Sequence, residues 1–189
     1  ISPTRAAHVA ASLGGAVALI VDDGACAAGV ESTIVADGRV LRPGPVTAEM
    51  VSDVLAERFP GVGRGPVESP SMIGVTSSDV PATGPRPAPG KRAGMVAPGQ
   101  LASHYAPTKP LRLNSSTADP DEWLIGFGPI AGDDTLSASG DLHEAAARLF
   151  EALHRADSGA KPRIAVAPVP TTGIGAAIAD RLRRAAHRD

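Results

Sequence analysis

Between Phe59 and Gly99 the chain holds eight of its eighteen prolines, with many glycines and serines and little apolar periodicity. Proline fixes φ and removes a backbone donor, so neither a helix nor a central strand continues through such a stretch. A segment this long without elements of its own is unusual inside a compact domain. It is therefore expected to be a linker or an extended arm, and the 189 residues divide into 1–59, an arm over 60–110, and a unit over 111–189. Each flank is at most a small domain or part of one.

The two flanks differ in pattern. After the arm, short apolar runs at 111–113, 123–127 and 164–167 read as strands. Leu142, Ala145, Ala146, Leu149, Phe150 and Leu153 keep helical spacing over 142–153, and a last helix is expected over 174–185. Strands alternating with helices predict a small Rossmann-like parallel-sheet α/β domain. Its closing Arg181, Arg183 and Arg184 are read as last-turn cations that complement the helix dipole. Gly126 and Gly128, after the second strand, could admit a ligand, and a bare strand-end turn explains them equally well.

Before the arm, Ser2-Pro3 looks like a helix start, Ala6, Val9, Ala10 and Leu13 keep helical spacing, and Gly14-Gly15 is a stop. A strand is expected at 16–21, followed by Asp22-Asp23 and a loop of small residues. Thr47 is placed to cap a further helix with Met50, Val51, Val54 and Leu55 on one face. Between these lies GVESTIVADGRVLRPG, residues 29–44. Asp37-Gly38 between β-branched runs is a strong hairpin signal, predicting strands at 32–36 and 39–42. The hairpin would bring the hydroxyls of Ser32 and Thr33 beside the guanidinium of Arg42, a plausible seat for a carboxylate or phosphate. Ordinary strand residues and a solvated edge charge are the plainer account of the same three positions.

A net charge of −2 gives no whole-chain case for nucleic-acid or membrane binding. No secretory signal is visible, which favours the cytoplasm. The single cysteine, Cys26, excludes an internal disulfide framework, and it reads as a small buried or half-buried residue.

Four signatures stand in order: Ser2-Pro3-Thr4; Gly29-Val30-Glu31-Ser32-Thr33-Ile34 with Arg42-Pro43-Gly44; Ala97-Pro98-Gly99 followed by Ser103-His104-Tyr105-Ala106-Pro107; and Gly175-Ala176-Ala177 through Asp180-Arg181-Leu182-Arg183-Arg184-Ala185. Together they resemble the two-domain form of threonylcarbamoyl-AMP synthase, the YrdC-like enzyme of tRNA modification. The resemblance covers essentially the whole chain. It implies an α/β protein made of the C-terminal portion of a YrdC-like twisted-sheet domain, a long Pro/Gly-rich arm and the small parallel-sheet domain.

The resemblance also implies an activity. L-threonine and bicarbonate form a carbamate that attacks the α-phosphate of ATP, pyrophosphate leaves, and threonylcarbamoyl-adenylate results. Mg²⁺ accompanies the phosphates, and a partner transferase complex then modifies tRNA. By the same resemblance Thr4, Arg42 and Tyr105 would contact ATP, Ser32 and Thr33 would hold threonine, and His104 with Tyr105 would form a lid over the site. A packing anchor where the arm rejoins the second domain is the plainer role for His104 and Tyr105. No catalytic residue and no metal site are assigned; Glu31 and Asp22 are the nearest acidic candidates.

Two departures stand out. Gln100 and Leu101 replace a Met and a Lys that many members carry, and the family's upstream nucleotide motifs precede the part represented here, so this portion alone is expected to be inactive. Two alternatives are a non-catalytic RNA-binding or regulatory module and a related carbamoyl-transferring maturation factor. The low aromatic content speaks against the first, and the His-Tyr arm and small α/β domain against the second.

Overall fold

The computed structural model describes residues 1–58 and 105–187. Helix α1 (Ala6–Leu13) ends where expected, with Gly14 at φ 50 and its N–H bonded to the Ala10 carbonyl. Its start differs from the sequence expectation. Arg5 occupies the cap position without a side-chain bond to the helix end, and the Ser2 hydroxyl donates instead to Glu31 Oε1 at 2.7 Å.

The strand expected at 16–21 does not form. A strand persists only where a neighbour takes its backbone N–H and C=O groups, and no described strand pairs with this run. Leu19 and Val21 are accordingly 81% and 84% exposed.

The hairpin is present. Strands β1 (Ile34–Ala36) and β2 (Arg39–Arg42) run antiparallel. Asp37 at φ 51 and Gly38 at φ 72 supply the two consecutive left-handed residues of the tightest hairpin turn. A register shift between Ile34 and Val35 marks a bulge, and Ser32 and Thr33 lie beyond the ladder. Helix α2 (Ala48–Arg58) follows, and Thr47 caps it through Oγ1, which accepts from the Met50 N–H at 3.3 Å. Val51 and Leu55 are half-buried, whereas Met50 and Val54 remain exposed.

The second region carries the core. Strands β3 (Leu111–Arg112), β4 (Glu122–Gly126), β5 (Asp134–Thr135) and β6 (Arg163–Val166) form one parallel sheet in the order β3-β6-β4-β5. The expected α/β architecture is therefore observed, with β5 added at an edge. Its two residues, Asp134 and Thr135, carry no apolar run that could have announced it.

Helix α3 (Leu142–Ser158) begins at Asp141, whose carboxylate accepts from the Glu144 N–H at 2.7 Å. Its stripe of Ala145, Ala146, Leu149, Phe150, Ala152, Leu153 and Ala156 is buried. Helix α4 (Gly175–Ala186) buries Ala177, Ile178, Leu182 and Ala185 beside it. Ile164 and Val166 of the inner strand β6 complete the core, as expected for a parallel strand covered by helices.

Candidate functional site

The first region meets the second through its least bulky residue. Gly29 has φ 66, and a Cβ there would run into the Ala146 carbonyl and the Ala147 backbone. Only glycine meets both demands. The close approach drops Val30 into the core formed by α3, α4 and the sheet and delivers Glu31 and Ser32 to the seam between the regions.

Arg42, at the end of β2, is 9% exposed. Its Nε and Nη2 donate to the Ser32 carbonyl at 3.1 and 2.9 Å, and Nη2 also reaches the Ser32 hydroxyl at 3.3 Å. The hairpin thus joins Ser32 and Arg42 as the spacing suggested. Arg42 is a held fork rather than a solvated edge charge. Thr33 is adjacent, but its hydroxyl donates to the Val46 carbonyl at 2.5 Å. Behind Arg42, Gly44 packs so tightly on the backbone of Glu31 and Thr33 that a side chain would collide.

A second cation approaches from α4. Arg181 is fully buried. Its Nε donates to Glu31 Oε2 at 2.9 Å and its Nη1 to Asp180 Oδ2 at 2.9 Å. Its guanidinium lies over the Tyr105 ring, 5.6 Å from the centroid, a cation–π arrangement. Arg184 adds a bond to the same Asp180 carboxylate at 3.1 Å. Burial pushes the Glu31 carboxyl up, but the donors from Ser2 and Arg181 outweigh it and hold it below the ordinary carboxylate value. Burial, and then the Glu31 charge, raise the Tyr105 hydroxyl against the opposing pull of Arg181 and Arg42.

Tyr105 is 5% exposed, sits at φ 75 and packs on Phe150 with ring centroids 5.5 Å apart. A left-handed aromatic residue is held there only by its surroundings. The chain just after it is tied down as well, with Asp157 accepting from Thr108 and Lys109. His104 lies outside the described residues.

Thr4 is buried on a neighbouring patch. Its N–H donates to His8 Nδ1 at 3.2 Å, and its carbonyl accepts from Cys26. His8 stacks on His154 of α3, centroids 3.9 Å apart, and His154 Nε2 donates to the Ser2 carbonyl at 3.1 Å. Burial, and then each other's proximity in the case of His8, keep both imidazoles below their ordinary value.

The structure therefore brings Ser32, Arg42 and Tyr105 to one seam, commits the Thr33 hydroxyl to the Val46 carbonyl, and sets Thr4 against His8. Sequence reasoning missed Arg181, which was read with Arg183 and Arg184 as a helix-dipole cation. The signal was present: Arg181 shares the stripe of Ala177, Ile178 and Ala185, and an arginine on the apolar face of a helix needs a partner. Cys26 is exposed rather than buried. Gly126 is explained by packing, since a side chain would strike the Ile130 carbonyl, while Gly128 borders a shallow hollow with Ala131 and Thr135.

A family model described as threonylcarbamoyl-AMP synthase, C-terminal domain, matches residues 46–187. The chain belongs to that family. Two curated relatives named threonylcarbamoyl-AMP synthase are similar to it. One, from Bacillus subtilis, is 29% identical over 208 residues, covering 98% of this chain and 53% of its own. The other, from Pyrococcus abyssi, is 27% identical over 206 residues, covering 97% and 54%. A crystal structure of P. abyssi Sua5 complexed with L-threonine matches the fold with a TM-score of 0.69 at 26% identity, covering 98% of this chain and 54% of that one. The chain spans about half the length of these relatives. The match to the C-terminal domain of threonylcarbamoyl-AMP synthase takes in α2 and the whole parallel sheet, and the pairwise likenesses add nearly all of the first region with Ser32 and Arg42.

Among the described residues no helix is long and apolar enough to cross a membrane.

Proposed function

We propose that this chain supplies part of the site of an L-threonylcarbamoyl-adenylate synthase. The amine of L-threonine condenses with bicarbonate, losing water, to give a carbamate. A carbamate oxygen then attacks the α-phosphorus of ATP, pyrophosphate leaves with the bond it shared with that phosphorus, and the adenylate passes to a transferase complex that modifies tRNA. The observation that carries this reading is the Arg42 fork, locked on Ser32 and facing the seam that also holds Glu31 and Tyr105. A fixed, partly desolvated guanidinium stabilises charge developing on a phosphoryl group, with little reorganisation at the moment of reaction.

In this reading Arg42, Tyr105 and Thr4 face ATP, and Ser32 and Thr33 face threonine, with which the P. abyssi protein is complexed in its crystal structure. His104 and Tyr105 belong to a lid that excludes water from the carbamate and the adenylate. The division is catalytic portion 1–59, arm 60–110 and C-terminal domain 111–189, in a cytoplasmic enzyme. Mg²⁺ would come with the phosphates. The described carboxylates do not form a seat for it: Glu31 is committed to Ser2 and Arg181, and Asp22 accepts from Gly24 on an exposed loop. No step is routed through it.

The test uses the full-length gene product with ATP, Mg²⁺, bicarbonate and L-threonine, following pyrophosphate. Release should depend on both threonine and bicarbonate. Arg42→Ala should lower it on the order of 100-fold. Release indifferent to threonine, in a folded protein that binds ATP, would overturn the assignment.

A further inference from the structure

Arg181 is an unusual residue to find in the core of an α/β unit. It is fully buried, yet Nη2 has no hydrogen-bond partner among the described residues. Leaving a buried charged donor unsatisfied costs stability, and a hydrophobic residue of similar size would often serve packing as well or better. A purely structural account of α4 therefore does not explain why an arginine stands here.

Its contacts suggest the reason. The guanidinium touches three things, and two lie outside its own helix: the Glu31 carboxylate and the face of Tyr105. Glu31 directly precedes Ser32, whose carbonyl and hydroxyl hold Arg42. A continuous chain of bonds thus runs from Asp180 through Arg181, Glu31 and Ser32 to Arg42. We propose that Arg181 is a positioning residue of the site, through which the C-terminal domain fixes the Glu31-Ser32 segment and hence aims the Arg42 fork. The proposal rests on the synthase reading for what the fork binds, and on geometry alone for the fixing itself.

Two consequences separate positioning from packing. Without the Arg181 fork, Glu31 retains the Ser2 hydroxyl bond and can turn toward Arg42, drawing that cation from its substrate. Burial also then acts on Glu31 with only Ser2 to oppose it among its present side-chain donors. The side chains bonded to this carboxylate are Ser2, ahead of α1, and Arg181 of α4, and Tyr105 at the end of the arm, Asp180 of α4 and Arg42 of β2 share the seam with it.

The experiment uses Arg181→Met, Arg181→Lys and Glu31→Gln in the full-length protein. Arg181→Met is expected to raise KM for the anionic substrates about 10-fold, with kcat changed less, as expected when binding rather than the chemical step is lost. The KM defect should also ease as pH falls and Glu31 takes up a proton, because a neutral carboxyl no longer draws Arg42, and this pH dependence should vanish when Glu31→Gln is combined with it. Arg181→Lys should restore charge and part of the affinity, since an ammonium cannot span Glu31 and Asp180 with a planar fork. Amide hydrogen exchange over residues 29–44 gives an independent reading, and Arg181→Met should lose protection there.

Wild-type KM, pH profile and exchange in a folded Arg181→Met protein would overturn the proposal. If Arg181→Met does not fold, Arg181→Lys and Glu31→Gln decide, because each must then shift KM and exchange in the same direction. If the wild type itself shows no threonine-dependent release, the synthase reading has failed separately, and unchanged exchange at 29–44 in the variants is what would sink the positioning role.

Discussion

Residues 1–58 and 105–187 are built on opposite terms. The second region holds a four-stranded parallel sheet, two amphipathic helices and all but one of the buried hydrophobic residues described. The first contributes only Val30 to that core, and every large exposed hydrophobic among the described residues, from Leu13 to Val54, lies in it. The difference is one of pairing and coverage. In the second region each strand has a neighbour and each helix stripe a surface to meet; in the first, a two-stranded hairpin and two helices without buried residues lean on their surroundings. A two-stranded hairpin is marginal by itself, so the order of the site at 29–44 depends on what it docks against.

What it docks against is largely polar. Apart from Gly29, Val30 and the half-buried Ile1, the seam is held by Ser2, Arg5, His8 and Glu31 meeting His154, Glu151 and Arg181. The Arg5–Glu151 pair is exposed and adds little. The close backbone contact at Gly29 and the buried Arg181 bonds are the parts of the seam that cannot be replaced by water.

The contrast can be broken most forcefully from the core. Phe150→Ala removes a ring that is 1% exposed and touches Tyr105, and should cost about 4 kcal/mol. Chemical denaturation should show the loss, and exchange protection should fall in both regions, because the first has nothing to rest on once α3 loosens. Should 29–44 stay protected while the sheet melts, the dependence runs the other way.

A smaller and more local break is Gly29→Ala. The added Cβ meets the α3 backbone, and φ 66 strains any side chain, together about 3 kcal/mol. Here only the first region should lose protection, with α3 and the sheet retaining theirs. Equal loss in both would mean that the two regions fold as one unit.

The mildest handle is pH. Burial holds both His8 and His154 below the ordinary histidine value in the folded protein. A depressed histidine favours the neutral form, so its contribution to docking is fully present above the unfolded value and is lost as pH falls through the folded one. Docking should weaken below about pH 6.5, while the lowered carboxylates Glu31 and Glu151 are still ionised. NMR titration of the two ring C–H signals should show both midpoints below the ordinary value. His8→Gln should move the His154 midpoint little, because burial is the larger cause there. Ordinary midpoints for both would remove the pH sensitivity.

Much of this was legible in the residues. Asp37-Gly38 announced its turn, Thr47 its cap, and the α3 stripe its buried face, because each depends on neighbours within a few positions. Ser32 and Arg42 could be paired for the same reason, the turn between them being tight. The failures were of another kind. Ser2 looked like a cap and bonds Glu31; the run at 16–21 looked like a strand and has no partner; Arg181 looked like a dipole complement and is a buried bridge.

Local propensity, turn chemistry and periodicity are carried by the chain itself, so the sequence alone determined the hairpin, the helices of the second region and the parallel α/β class. Which hydroxyl caps and which one bridges, whether an apolar run finds a ladder, and where an arginine on an apolar stripe sends its charge are settled by groups far away in sequence. Tertiary structure decided these, because a hydrogen bond or a burial exists only when its distant partner arrives, and the free energy of satisfying Glu31 and Arg181 together outweighs the local preference of either.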